Sequence, residues 1–309
     1  MRWGFDDLFI SVTVLKLKVS ARGCRTEGHG DGGHLDDRLT MGTMLPVGEP
    51  KMFDAIQQFR ASLEEGQLQV GCGITLVDGV VCEALGDSVD FFWIDMEHTH
   101  LDFGTLKAHL IAARATCTPC LVRVRGPGIE QIKPVLDIGA LGIIVPQVRS
   151  TAEVLEVVDA CRYAPRGNRG FGPRGPSNYG RNAGPDYMEL ANDAIFVSVQ
   201  IENRWAFEDL DAIVQVEELD SIILGPYDLS MSLGYGGDVK HPNVVDAMKQ
   251  VAAKGRAAGK YVGMGGVDKE LAVVAKSIGV QWVQCGDDFA HMIYAIDRLA
   301  ADVRNVYES

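Results

Sequence analysis

The chain has 309 residues with an apolar share of 47%, enough for one large domain that buries roughly three quarters of its unfolded surface. Forty-two acids against 29 bases leave a net charge of −13, which repels phosphate backbones and argues against a nucleic-acid partner. No run reaches the ~18 apolar residues of a membrane span, so no membrane association is expected either.

Residues 1–50 read as an extension outside the fold. "LFISVTVL" (8–15) has the length of a signal-peptide core, but Asp6 and Asp7 stand where positive charge belongs, and Lys16 and Lys18 follow. From 21 to 50 the chain is rich in Gly, Asp and Arg without periodicity, a composition that predicts disorder. Folding is expected over 51–309.

Seven cysteines are scattered through apolar segments. Cys117-Thr-Pro-Cys120 is the one compact pair, and no second CxxC accompanies it. Cys120 opens the apolar run "CLVRV", so the pair reads as plain thiols at a strand start, in a reducing compartment such as the cytoplasm.

From residue 68 short apolar runs recur: 69–75, 91–95, 120–124, 142–146, 196–202, 221–225, 261–265 and 282–286. Amphipathic stretches between them, such as 102–114, 151–162, 204–217 and 241–258, predict helices. Strands alternating with helices make parallel βαβ units, and eight units fit a closed (β/α)8 TIM barrel. A doubly wound fold would want a glycine-rich turn after its first strand. Gly71 and Gly73 lie inside that strand instead.

In such a barrel the chemistry sits at the C-terminal strand ends. There the second run leads into Asp95, Glu97 and His98, and the third carries Arg123 and Arg125. In the fifth run Val197, Val199 and Ile201 take one face, leaving Ser198, Gln200 and Glu202 on the face that lines the mouth. The sixth leads into "GPYD" with Asp228. Two carboxylates from neighbouring strands, Glu202 and Asp228, suit a hard, oxygen-seeking cation such as Mg2+ or Mn2+. Read structurally, Glu202 would cap the next helix and Asp228 would serve the turn after Pro226. Arg123, flanked by Val122 and Val124, needs an anionic partner, either a buried ion pair or a developing oxyanion. The stretch 165–184, with four arginines, six glycines and no acid, is expected over the catalytic face.

"DMEH" (95–98), "VRV" (122–124), "QIE" (200–202) and "GPYDLS" (225–230) occur in order, and "APRGNRGFGP" adds a PxGxRG loop. Together they resemble the HpcH/HpaI aldolase family, metal-dependent class II pyruvate aldolases, over roughly 67–303. The resemblance implies His98 as base, Arg123 as transition-state stabiliser, and Glu202 and Asp228 as metal ligands. Mg2+ or Mn2+ is implied first, with Co2+ or Zn2+ as alternatives. Gln200 and the backbone near Tyr227 and Asp228 would contact a small-molecule 2-oxo acid. Asp137 matches the family's acid that raises the basicity of the histidine, in some members across a subunit contact, so a homo-oligomer is implied. Asp95 would support the loop around His98. Tyr227 is a departure, because many members carry a small residue there.

Competing readings are weaker. A Schiff-base aldolase needs a lysine in the barrel, and none of the eight runs contains one. A phosphate site would be opposed by Asp287 and Asp288 after the eighth run. A magnesium-dependent acyl-CoA lyase of the citrate lyase beta or malyl-CoA lyase type should carry a basic surface for CoA phosphates, which is not evident. A non-catalytic oxo-acid sensor would have no use for a proton acceptor.

Overall fold

The computed structural model describes residues 52–309, so the expectation for 1–50 lies outside the described residues. Helix α1 (Asp54–Glu64) precedes the first strand. The eight strands are β1 (Gln69–Ile74), β2 (Phe91–Asp95), β3 (Cys120–Arg123), β4 (Gly142–Val145), β5 (Phe196–Ile201), β6 (Ser221–Leu224), β7 (Tyr261–Met264) and β8 (Trp282–Asp287). They close in sequence order, all neighbours parallel, with β8 pairing back onto β1. This is the expected (β/α)8 barrel.

Between strands run α2 (Val80–Leu85), α3 (Phe103–Ala115), α4 (Ile129–Ile138), α5 (Thr151–Cys161), α6 (Pro185–Ala194), α7 (Arg204–Glu208), α8 (Leu210–Ile213), α9 (Pro226–Ser232), α10 (Pro242–Ala257) and α11 (Lys269–Ile278), with α12 (Asp288–Glu308) last. Side-chain caps start several of them: Asp102 accepts from Thr105 N at 2.8 Å, Ser150 from Glu153 N at 3.3 Å and Asn203 from Ala206 N at 3.0 Å. The single helix expected over 204–217 is instead two short ones. Asp209 between them turns its carboxylate to Thr151, accepting from the backbone N at 2.6 Å and from Oγ1 at 2.7 Å.

Inward-facing residues stack in layers, as barrel geometry requires. Phe59 of α1 reaches Phe91, Phe196 and Trp282, with ring centroids 5.5, 5.4 and 6.4 Å away, and closes the N-terminal end. Gly71 has no side chain because a Cβ there would overlap the Phe91 ring. Above the aromatic layer the interior turns polar, with Asp95, Gln200, Glu202 and Gln284 all buried. Cys120 is buried at the first residue of β3 and Cys117 sits exposed on the turn before it. No helix among the described residues is long and apolar enough to cross a membrane.

Candidate active site

Register places the first pair of site residues. β2 and β3 align so that Asp95 is the partner of Arg123, on the same inward face. The guanidinium therefore grips the carboxylate twice, Nε to Oδ1 at 2.9 Å and Nη2 to Oδ2 at 2.6 Å. Asp95 Oδ1 also accepts from Glu97 N at 2.9 Å and from His98 N at 3.4 Å, so it shapes the turn that carries the histidine. Arg125 holds the same loop from outside, donating to Met96 O at 3.1 Å and Leu101 O at 2.7 Å.

Of the two alternatives open for Arg123, the ion pair is present, and Nη1 adds a second one, 3.3 Å from Glu97 Oε2. The same oxygen of Glu97 lies 3.4 Å from His98 Nε2. Glu97, which carried no assigned role in the sequence, is the link between His98 and the Arg123 guanidinium. Burial pushes its carboxyl up, while Arg123 and then His98 pull it back. His98 is 64% exposed at the rim.

Across the mouth, Gln200 and Glu202 follow the alternation of β5. Asn203, not Glu202, caps the next helix, which frees the Glu202 carboxylate for the interior. Its Oε1 accepts from Gln147 N at 2.7 Å and its Oε2 from Gln200 Nε2 at 2.6 Å. Glu202 is 2% exposed, and burial pushes its carboxyl up to about 8, with Asp228 and Glu97 adding to the rise and Arg123 opposing it. Asp228 lies in the first turn of α9, makes no capping bond, and acts on Glu202 and Glu97 through its charge. Gln200 Oε1 is buried without a hydrogen-bond partner among the described residues. Among the described residues no group of three or more His, Cys, Asp or Glu side chains surrounds one point. Tyr227 is 56% exposed on α9.

Asp95, Glu97, His98, Arg123, Gln200, Glu202 and Asp228 therefore gather at one mouth. Asp137 does not join them. It sits in the last turn of α4, and in a βα unit the helix runs back, ending far from the strand's C-terminus. Its carboxylate accepts from Lys133 Nζ at 2.7 Å and Arg169 Nη2 at 2.9 Å. The arginine-rich stretch is likewise misplaced by the expectation. It leaves the end of α5, and two of its arginines, Arg166 and Arg169, bind Glu218, Asp193 and Asp137, at the opposite end of the barrel from the mouth.

The family model for HpcH/HpaI aldolase/citrate lyase matches residues 80–295. The chain is 36% identical over 244 residues to a 4-hydroxy-2-oxo-heptane-1,7-dioate aldolase of Shigella sonnei, covering 79% of this chain and 93% of that one. It is 35% identical over 246 residues to a 2-keto-3-deoxy-L-rhamnonate aldolase of Klebsiella pneumoniae, covering 79% and 91%. A crystal structure of a HpcH/HpaI aldolase/citrate lyase family protein from Burkholderia cenocepacia superposes with a TM-score of 0.75 at 28% identity, over 80% of this chain and 99% of that one.

Proposed function

Because the chain belongs to the HpcH/HpaI aldolase/citrate lyase family, we propose that it is an aldolase cleaving a 4-hydroxy-2-oxo acid to pyruvate and an aldehyde, reversibly. The observation that carries this reading is the convergence of Glu202, Asp228 and Arg123 in one field at the strand ends.

A divalent cation fits these residues. Glu202 is buried and short of positive charge, Asp228 acts on it through its charge and has no hydrogen bond among the described residues, and Gln200 Oε1 is an orphaned acceptor in the same place. Glu202 and Asp228 would hold it. Oxygen donors of this kind suit Mg2+ or Mn2+. When bound, the cation supplies Lewis-acid stabilisation of charge on the keto oxygen.

The chain's own residues do the rest. Gln200 and the backbone around Tyr227 and Asp228 orient the oxo acid. His98 takes the proton from the C4 hydroxyl, the C3–C4 bond breaks, and its electron pair passes into the enolate of pyruvate. Arg123, fixed by Asp95 and never deprotonated, stabilises the enolate oxygen. Protonation at C3 then releases pyruvate. Asp137 lies at the far end of the barrel from its own His98, so a role beside that base requires a second copy of the chain.

A homo-oligomer is part of the same proposal. On α12, Met292, Ile293, Ile296, Leu299, Val303 and Val306 are between 48% and 73% exposed, an apolar run of the kind that marks a protein–protein contact. The buried thiols of Cys72, Cys82, Cys120 and Cys161 suit a reducing, cytoplasmic setting.

The test is pyruvate release from several 4-hydroxy-2-oxo acids before and after chelation. Activity should vanish and return with Mg2+ or Mn2+, and full activity in exhaustively chelated protein would sink the class II assignment. Proton exchange at the pyruvate methyl group separates the enzyme from a metal-bound sensor, which would not catalyse it.

A further inference from the structure

One more carboxylate lines the mouth, and no step above uses it. Trp282 points into the barrel, where its ring meets those of Phe91 and Trp93 at centroid distances of 5.5 and 6.0 Å. Gln284, two residues on, shares that inward face and is 6% exposed. Its side chain is held at both ends: Oε1 accepts from Gly266 N at 2.6 Å, and Nε2 donates to Asp287 Oδ1 at 2.9 Å. Asp287 closes β8 just past a register shift, where Gly73 of β1 is its partner. Gly73 has no side chain, and a Cβ there would collide with Asp287 Oδ1.

Three elements thus aim this carboxylate inward and leave its second oxygen, Oδ2, without a donor among the described residues. Burial pushes the Asp287 carboxyl up, with Asp95 and Asp288 adding to the rise, while Arg123 and His291 oppose it through their charge alone. Asp287 therefore belongs to the same mouth as Arg123, with an unfilled acceptor facing into it.

Strand order says what would meet it. Glu202 and Asp228, at the ends of β5 and β6, take the pyruvate half of the substrate, with Arg123 at the end of β3. His98, beyond β2, takes the C4 hydroxyl. Continuing around the barrel away from β3, the chain of the aldehyde half runs toward β1 and β8, where Asp287 stands.

We propose that Asp287, positioned by Gln284, is a specificity-determining residue. It accepts a hydrogen bond from a hydroxyl group on the aldehyde half of the substrate, and so selects hydroxylated aldehydes over anionic ones. The inference rests on the aldolase reading above. A carboxylate oxygen with no donor rewards a hydroxyl and repels a second carboxylate.

The experiment is condensation of pyruvate with glycolaldehyde, propionaldehyde and succinic semialdehyde by the full chain with Mg2+, each rate divided by pyruvate proton exchange on the same preparation. Glycolaldehyde and propionaldehyde have the same shape and differ by one hydroxyl. Wild type should favour glycolaldehyde in kcat/KM by roughly 10- to 100-fold, the value of a hydrogen bond to a charged group. Asp287→Leu should erase that ratio, and Asp287→Asn, which removes the charge, should raise relative turnover of succinic semialdehyde. A glycolaldehyde preference that survives Asp287→Leu overturns the inference. Should Asp287→Leu fail to fold, Asp287→Asn decides, and no gain with succinic semialdehyde overturns it equally. Absence of both exchange and condensation in wild type would instead overturn the aldolase reading itself.

Discussion

The two ends of the barrel are built from similar residues and treat them differently. At the N-terminal end Arg162 is 2% exposed, yet its guanidinium is fully occupied. It donates to Glu218 Oε2 at 3.0 Å, Ile195 O at 2.9 Å, Glu218 O at 3.2 Å and Asp220 Oδ2 at 3.3 Å. Asp220 is in turn gripped by Arg60 at 2.8 Å and accepts from Val197 N at 2.7 Å. At the C-terminal mouth, Asp95, Glu97, Glu202 and Asp287 share the field of one guanidinium, Arg123, and Asp228 acts on Glu97 and Glu202. Buried polar groups are ordinarily satisfied. Glu218 and Asp220 at the N-terminal end hold arginines of the scaffold and contribute stability, whereas the carboxylates of the mouth outnumber the guanidinium among them and suit a positively charged ligand.

The largest break in this contrast comes from the proposed cation ligands. Glu202→Gln and Asp228→Asn should each lower pyruvate release by ~10³-fold or more, since the electrostatic help lost amounts to several kcal/mol. Melting temperature, measured on metal-free protein, should not fall for Glu202→Gln, because the substitution relieves a buried, uncompensated carboxylate. A clear drop in melting would show that Glu202 is part of the scaffold.

His98→Ala should slow turnover by about 10²–10⁴-fold with melting unchanged, because the side chain is largely exposed. Arg123→Ala should cost ~10²–10³-fold in turnover and also about 3–5 kcal/mol of stability, since it strands Asp95 without its cation. Arg162→Ala, at the other end, should lose comparable stability while the kcat of the folded fraction stays at wild-type level. Paired kinetics and denaturant titrations read this split. Turnover loss in folded Arg162→Ala would blur the two ends into one.

A smaller effect is pH-dependent. The Glu202 carboxyl is raised from its ordinary value to about 8 in the fold. A raised acid contributes stability that is fully present below its unfolded pKa and is lost as pH rises through its folded one. Chelated protein should therefore lose stability progressively from about pH 4.5 toward pH 8, by this group, and Glu202→Gln should flatten the slope. Identical slopes in the two proteins would assign the trend elsewhere.

The smallest expected effect is that of removing residues 1–50. Their sequence carries no periodic apolar pattern of a buried element, so melting and turnover should match those of the full chain. Loss of the thermal transition would move the domain boundary toward the N-terminus.

Much of this was legible in the amino-acid order. Eight apolar runs separated by amphipathic stretches determine a parallel barrel, because each run must be covered on both sides. Alternation along β5 determined that Gln200 and Glu202 face inward, since side chains in a strand switch faces at every residue. Periodicity reports a face, however, and is silent about neighbours and ends. That Arg123 meets Asp95 follows from the register of β2 on β3. That Asn203 relieves Glu202 of capping follows from the geometry of one helix start. The arginine-rich stretch has a composition suited to anions, but α5 carries it to the far end of the barrel, where carboxylates of the scaffold take up Arg166 and Arg169. Asp287 looked only like a charge that repels phosphate. It takes a register shift, a missing Cβ at Gly73 and the amide of Gln284 to turn it inward, and contacts between residues so distant in the chain arise only when the barrel closes.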